Sequence, residues 1–165
     1  TLASAPLTLS PTRFHNSVHN AAAGYWTIGA HAMAPATAIS ALDHSFGQGL
    51  LEALVQLATG TDAVLLVAYD SAATGPIAQI SRSEGLLGGA LVLVREVLPG
   101  QPRLQASLRD AAAGESEAPD RLAGLVGANA MLPMLPLFEA LARRQAHATI
   151  PTGHGKVLGM EIANG

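Results

Sequence analysis

Residues 35–60 read PATAISALDHSFGQGLLEALVQLATG, and this stretch decides the fold of the chain. Its short apolar run at 37–41 predicts a strand, and residues 42–44 predict a sharp loop. A longer run of helix-forming residues predicts a helix over 45–59. A further apolar run predicts a second strand over 63–68. The sequence therefore indicates a strand, a loop, a helix and another strand, in that order.

The loop between the first strand and the helix holds Asp43, His44 and Ser45. A loop that enters the N-terminus of a helix is a common place for a nucleophile, because the helix dipole favours an anion there. Ser45 and Gln48 have the spacing of a capping box, which predicts that Ser45 caps the helix. Asp43 stands at the nucleophile position, and the chain has no Cys. The sequence therefore predicts the loop and helix that commonly carry a nucleophile, but no residue there is an obvious nucleophile.

The composition indicates a globular domain that binds a partner. A chain of 165 residues is long enough for one domain with its own core, so we expect a single domain over 1–165. Hydrophobic residues make up 49% and charged residues only 13%, against about 25% charged in typical soluble domains. We expect a partner to cover part of this apolar surface. The longest apolar runs are far shorter than the ~20 residues that span a bilayer.

Charge and cysteine content exclude several function classes. The net charge is −3, with one lysine, eight scattered arginines and 4% aromatic residues. Nucleic-acid binding needs a basic stripe and usually aromatic platforms, so it is not expected. The lack of Cys excludes disulfides, thiolate catalysis and Cys-zinc sites. No sequence motif indicates a cofactor, so none is expected. No signal-peptide pattern is present, which favours the cytoplasm. The chain begins at Thr1 rather than Met, so we expect residues upstream.

The flanking segments predict further elements of an α/β domain. Ser10 and Pro11 form a good helix start, with a helix running to about His31 and a break near Gly24. Gly60 is predicted to end the central helix, and the two strands around that helix should be parallel with a right-handed crossover. The remaining expectations are a hairpin of 86–97 with 103–109, a mobile acidic loop at 111–119, a helix at 136–146 and terminal strands at 148–152 and 157–162.

Two histidines near the N-terminus are candidate metal ligands. His15-Asn16 and His19-Asn20 repeat at a spacing of four, which would place both imidazoles on one helix face. Two histidines are too few for a zinc site, so a third ligand would have to come from elsewhere. The favoured interpretation is that these side chains bond backbone groups at a crowded interface. No metal site is predicted.

The loop residues also allow a catalytic interpretation. Asp43, His44 and Ser45 are the residue types of a hydrolase triad, but consecutive residues point in different directions and cannot align by themselves. The order resembles a nucleophile elbow in which Asp43 replaces the first Gly. An acyl hydrolase or acyltransferase using Ser45 with His44 or His154 is therefore the alternative function. The residues around His154 are better explained as a hairpin turn than as a phosphate loop.

Residues 11–45 as a unit resemble the β-ketoacyl synthase family, which has the thiolase fold. The resemblance rests on Asn20-Ala21-Ala22-Ala23-Gly24, Thr27-Ile28, Pro35 and Ile39, and it continues through Thr59-Gly60-Thr61-Asp62, Ser83-Glu84-Gly85 and Gly88-Gly89. It implies a thiolase-like α/β half-domain, with a mixed sheet and a buried helix after the nucleophile-position loop. It also aligns Asp43 with the Cys that a synthase acylates. The chain is too short to carry the second half of a synthase, so none of the catalytic residues of that half is transferred.

The string 10–26, SPTRFHNSVHNAAAGYW, resembles short synthase-like proteins found with bacterial aryl-polyene pigment pathways. These look like truncated chain-length factors, the inactive half of a ketosynthase heterodimer. The resemblance implies a ketosynthase partner, or a second copy of this chain, and an indirect relation to acyl carrier protein. The side chains that it suggests for the interface or the acyl tunnel are His15, Asn16, His19, Asn20, Tyr25 and Trp26.

A carboxylate at Asp43 agrees with an inactive subunit. Condensation needs a thiolate that accepts an acyl chain and can leave again, and a carboxylate is a poor nucleophile that would repel a malonyl carboxylate. One hypothesis is that Asp43 forms a buried, hydrogen-bonded plug with His44 or Ser45. The alternatives to a ketosynthase partner subunit are the hydrolase described above and a homodimeric structural relic.

Overall fold

The computed structural model describes residues 10–81, 83–115 and 127–165. The chain divides into two compact units, a small one that ends at Ile39 and a larger one from Ser40 to Gly165. Of the predicted mobile loop at 111–119, residues 116–119 lie outside the described part. None of the described helices combines the length and the apolar composition that crossing a membrane requires.

The small unit holds two short helices, α1 (Pro11–His15) and α2 (Ala21–Gly29). The predicted start is confirmed, since the Ser10 side chain accepts a hydrogen bond from the Arg13 amide and Pro11 opens the helix. The continuous helix to His31 is wrong, because the chain turns between α1 and α2, whereas Gly24 lies inside α2. The Ser17 hydroxyl donates to the Phe14 carbonyl oxygen at 2.7 Å. Such local side-chain bonds offer the backbone an alternative to continued helix.

The strand predicted at 37–41 is absent: these described residues are irregular. A strand needs a neighbour that pairs with its amides and carbonyls. The Ala41 amide instead donates to the Ser45 hydroxyl oxygen at 2.8 Å, so a side chain closes this part of the backbone. A short apolar run in the sequence was therefore not sufficient to form a strand here.

The described residues of the larger unit form both helices and strands. Its first helix and the turn before it were predicted almost to the residue, and Gly60 follows the cap residue Thr59 with φ +119°. Single 3-10 turns lie at Leu42–His44, Gly75–Gln79 and Leu132–Met134. The elements are α3 (Ser45–Ala58), β1 (Ala63–Asp70), β2 (Leu87–Val94), β3 (Arg103–Asp110), α4 (Leu135–Ala142), β4 (His147–Gly153) and β5 (Lys156–Ala163).

The described strands form two antiparallel sheets. One is the pair β1–β2, aligned from Ala63 opposite Val94 to Asp70 opposite Leu87. The other has the order β3–β5–β4. The predicted parallel crossover is therefore wrong, and so is the hairpin between 86–97 and 103–109. β2 pairs with β1, which precedes it in the chain, and β3 pairs with β5. The terminal hairpin of β4 and β5 is confirmed.

The core lies where α3 and α4 pack on the two sheets. On α3 the buried side chains follow helical spacing, and α3 contacts β1 as well as β4 and β5. The residue pattern thus buries one face of the helix, as predicted for a helix after this loop. Helix α4 is shorter than the predicted 136–146 and packs on β4. The largest fully buried side chains are Phe46, Leu50, Leu137, Ile150, Leu158, Met160 and Val157.

A buried polar network joins the end of β1 to the segment before α4. The Ser83 hydroxyl donates to the Asp70 carboxylate and accepts from the Ala130 amide at 3.0 Å. The Asn129 side chain donates to the Gly85 carbonyl oxygen at 3.1 Å and accepts from the Met131 amide at 2.9 Å. Because these polar groups are paired, their burial does not carry the cost of unsatisfied groups. The network fixes residues 129–131 against β1.

Candidate functional site

The turn before α3 holds Asp43 in a constrained backbone. Leu42 has φ +52°, in the left-handed region that an ordinary side chain seldom adopts. The next residues continue as a 3-10 turn, in which the His44 amide donates to the Ala41 carbonyl oxygen at 3.0 Å. Backbone strain of this kind is typical of sites where the surrounding structure holds a side chain in a required place. Asp43 is the residue that follows Leu42 in this turn.

Ser45 closes this turn rather than capping the helix. Its hydroxyl donates to the Leu42 carbonyl oxygen at 2.6 Å and accepts from the Ala41 amide. The N-cap residue is His44, and Nε2 of the Gln48 side chain donates to the Thr152 carbonyl oxygen at 2.5 Å. The predicted capping box is wrong, because both of its side chains are used elsewhere.

His44 packs against the end of β4. A Cβ placed on Gly153 would lie 3.0 Å from Cδ2 of the His44 ring, and the Gly153 φ is +89°. Nδ1 of His44 is buried without a hydrogen-bond partner among the described residues. The ring therefore sits in a space that only glycine leaves open.

The geometry does not support a triad or a plug. The Ser45 hydroxyl is bonded to backbone groups on both sides, and no described hydrogen bond joins it to His44. Asp43 is exposed in the chain. The hypothesis that Asp43 forms a buried plug with His44 or Ser45 is therefore wrong for the chain alone.

Glycines bring α3 onto β4 and were missed as site residues. A Cβ on Gly47 would lie 2.1 Å from the Pro151 carbonyl oxygen, so the first turn of α3 touches the β4 backbone. The Thr152 carbonyl oxygen accepts the hydrogen bond from the Gln48 side chain. The Thr152 hydroxyl donates to the Lys156 carbonyl oxygen at 3.0 Å. The glycines after Ser45 indicated that another backbone approaches α3 closely. Nothing in the sequence identified β4 as the strand that does so.

In the small unit, three of the predicted residues come together. His15 and Tyr25 make an edge-to-face ring contact with centroids 5.3 Å apart, and the Tyr25 hydroxyl donates to the Asn16 side-chain oxygen at 2.8 Å. These contacts tie α1 to α2. The expected bonds from these side chains to backbone are replaced by contacts with Tyr25.

The other predicted residues of the small unit stay apart. His19 lies beyond the end of α1, so the two histidines do not share a helix face as predicted. Asn20 lines a shallow hollow beside α2, and Trp26 is 59% exposed. Within the described ranges, no three His, Cys, Asp or Glu side chains are grouped so as to hold a metal ion.

The small unit buries none of its described residues, 10–39. Its exposed apolar side chains include Phe14, Trp26, Ile28 and Met33. Arg13 and three histidines are its basic residues, and the same range has no Asp or Glu. An apolar surface of this kind, with little charge, is typical of a region that contacts another protein.

Comparison with known proteins gives the family. Residues 4–155 match the family described as "Beta-ketoacyl synthase, N-terminal domain". The chain belongs to this β-ketoacyl synthase family. The resemblance found in residues 11–45 is thereby confirmed.

The fold of this ketoacyl synthase domain also matches a solved structure, "Ketosynthase (ApeO) in Complex with its Chain Length Factor (ApeC) from Xenorhabdus doucetiae". The TM-score is 0.68 at 22% sequence identity, over 97% of this chain and 60% of the matched one. This likeness confirms the thiolase-like α/β fold. The chain spans about three-fifths of the length of the structure it matches. No curated protein matches it.

Two carboxyl groups beside the three-stranded sheet of the ketoacyl synthase domain have lowered pKa values. Hydrogen bonds from the Arg109 guanidinium and the Ala112 amide lower the pKa of Glu115 to about 2, and Thr149 adds a weaker bond. The Lys156 ammonium lowers the pKa of Asp110, through a 2.6 Å hydrogen bond and its charge. These pairs fasten the C-terminal end of β3 to neighbouring segments, which is a structural role.

Proposed function

We propose that this protein is a non-catalytic, chain-length-factor-like member of the β-ketoacyl synthase family that pairs with an active ketosynthase. The single observation that carries the proposal is Asp43, held by a strained turn at the head of α3 in a chain without Cys. A carboxylate is a poor nucleophile and does not accept an acyl chain as a thiolate does. The condensation chemistry then belongs to the partner.

The exposed apolar surface of the small unit supports a protein partner. No described residue of 10–39 is buried, and Trp26 and Met33 are 59% and 96% exposed. Aromatic and methionine side chains are enriched at the centres of protein interfaces. We propose that this surface, including His15, Asn16, His19, Asn20 and Tyr25, meets the synthase or borders its acyl tunnel. The matched structure holds a ketosynthase in complex with its chain length factor, and it motivates the same pairing here.

The proposed pathway is fatty acid or polyketide-type synthesis, with an aryl polyene as the product class. The string 10–26 motivates this finer assignment. Acyl carrier protein would then be met by the pair rather than by this subunit alone. A free-standing hydrolase using Ser45 is not favoured, because the Ser45 hydroxyl is already bonded to the Ala41 amide and the Leu42 carbonyl oxygen.

The test is the native mass of the chain co-expressed with the ketosynthase encoded nearest to it. We expect a stable complex with equal numbers of the two subunits. Asp43→Ala should leave the complex intact and change the length distribution of its products, because the exposed carboxylate would face the bound acyl chain. Val55→Ala, on an exposed α3 position, is the matched control and should change neither. Failure of the wild-type chain to bind the synthase would refute the pairing, and unchanged products from Asp43→Ala would refute the role of Asp43.

A further inference from the structure

The four methionines of the chain lie in two contrasting environments. Three of them, Met131, Met134 and Met160, belong to the hydrophobic core of the larger unit and are at most 5% exposed. The fourth, Met33, belongs to the small unit and is 96% exposed. Access to the oxidant controls how fast a thioether is oxidised. In the folded chain, Met33 is therefore the methionine that is open to an oxidant dissolved in water.

The chain has no thiol that would react with a peroxide before Met33 does. It contains no Cys, so its sulfur atoms are all thioethers. Hydrogen peroxide transfers one oxygen atom to such a sulfur, which loses two electrons as the S–O bond forms and the peroxide O–O bond breaks. The other peroxide oxygen leaves as water. The product is methionine sulfoxide, and a sulfoxide reductase reverses the step.

Hydrogen bonds hold the backbone just before Met33 in a defined turn. The Ala32 amide donates to the Thr27 carbonyl oxygen of α2 at 2.9 Å, and His31 between them has φ +50°. Met33 then lines the hollow beside α2, together with Asn20 and Thr27. The fold thus holds this methionine at a fixed place in the apolar surface of the small unit.

We propose that Met33 is the peroxide-sensitive residue of the free subunit, and that its oxidation to the sulfoxide weakens pairing with the ketosynthase. The second part rests on the proposed function, in which the small unit meets the synthase. Methionine packs at protein interfaces as an adaptable apolar side chain, whereas its sulfoxide is polar. Burying a polar group without a hydrogen-bond partner is costly, so the oxidised surface should bind more weakly. Pairing covers the thioether and should protect it from peroxide.

Peroxide treatment of the full, folded chain without the synthase tests the first part. Peptide mapping by mass spectrometry should show that Met33 is converted at least about tenfold faster than the three core methionines. In urea all four should react alike, because unfolding exposes the core. Equal rates in the folded chain, or faster oxidation of a core methionine, would overturn the proposal whether or not a synthase binds.

The affinity for the ketosynthase, measured before and after oxidation, tests the second part. Only this subunit is treated, and the peroxide is removed before mixing, so that the synthase is never exposed to it. The oxidised wild type should bind about tenfold or more weakly than the untreated chain, and a sulfoxide reductase should restore the affinity. The affinity of Met33→Leu should not respond to peroxide. Adding Val55→Met to that variant places a thioether at an exposed position of α3, and its affinity should not respond either.

The outcomes separate this proposal from the proposed function. If the chain oxidised at Met33 binds the synthase as well as the untreated chain does, the effect on pairing is refuted while the pairing itself stands. If the untreated chain does not bind, the pairing is refuted and the effect of oxidation on it falls too. A loss of affinity in the Val55→Met variant after peroxide would show that the place of the sulfoxide does not matter, which also overturns the proposal. An unchanged thermal unfolding midpoint shows that oxidation leaves the core intact.

Discussion

Gly47 is the residue that lets α3 lie against β4. A Cβ at this position would stand 2.1 Å from the Pro151 carbonyl oxygen, and a backbone atom cannot move aside as a flexible side chain can. We expect Gly47→Ala to lower the free energy of unfolding by about 1–3 kcal/mol, the usual cost of overpacking, as measured by urea unfolding. Gly24→Ala is the control, because open space surrounds Gly24 within α2. If both variants unfold alike, the close contact at Pro151 is refuted.

Glu115 makes the stability of the domain depend on acid pH. Hydrogen bonds from Arg109 and the Ala112 amide lower its pKa from 4.5 to about 2. A carboxyl group whose pKa is lower in the folded state stabilises that state above pH 4.5 and loses this contribution as the pH falls towards 2. We therefore expect the urea midpoint of the wild type to exceed that of Glu115→Gln above pH 5, with the difference vanishing near pH 2. A difference that stayed constant over this range would contradict the prediction.

The turn before α3 depends on one hydroxyl. Ser45 bonds both the Ala41 amide and the Leu42 carbonyl oxygen, across the residue with positive φ. Ser45→Ala should lower the free energy of unfolding by about 1–2 kcal/mol, since it removes the partner of the partly buried Ala41 amide and of the exposed Leu42 carbonyl oxygen. Ser17→Ala, at an exposed helix end, should cost less. Thermal unfolding of the two variants provides the comparison, and equal losses would show that the Ser45 hydroxyl does not hold the turn.

Elements with a local pattern could be predicted, and elements defined by distant partners could not. Helix α3 and the terminal hairpin have clear periodicity and turn residues, so their positions were readable. The pairing of β1 with β2 depends on contacts such as Ala63 with Val94, and no local signal encodes that choice. For the same reason the extended-looking residues 37–41 gave a wrong strand.

Only part of the candidate site could be predicted from the sequence. Asp43 could be located because a loop followed by a helix start is a local feature. The bond from Gln48 to Thr152 and the contact of Gly47 with Pro151 join residues about a hundred positions apart. Such contacts become visible only in the folded chain. The wrong assignment of Ser45 has a local cause, because its hydroxyl bonds the Ala41 amide and the Leu42 carbonyl oxygen of the turn before the helix.

At the scale of the whole molecule, the low charge of the chain is reflected in surfaces that are rich in exposed apolar side chains. Many of the exposed apolar side chains lie on the small unit and on strands β1 and β2, whereas the three-stranded sheet carries polar pairs such as Arg109 with Glu115. Surfaces of these two kinds are expected when only part of a protein faces water in the assembled state. This distribution of apolar and polar surface supports the proposed pairing with a ketosynthase.

Trp26 allows the proposed synthase interface to be tested without disturbing the core. It is 59% exposed, and no described residue of the small unit is buried. We expect Trp26→Ser to weaken the complex with the ketosynthase about tenfold or more, as loss of an interface aromatic commonly does, while the thermal unfolding midpoint stays unchanged. Val55→Ser, at an exposed position of α3, should leave the affinity intact. Affinity measured by calorimetry on the co-expressed partner decides the point: equal binding by both variants would place the interface outside the small unit, even if the complex itself exists.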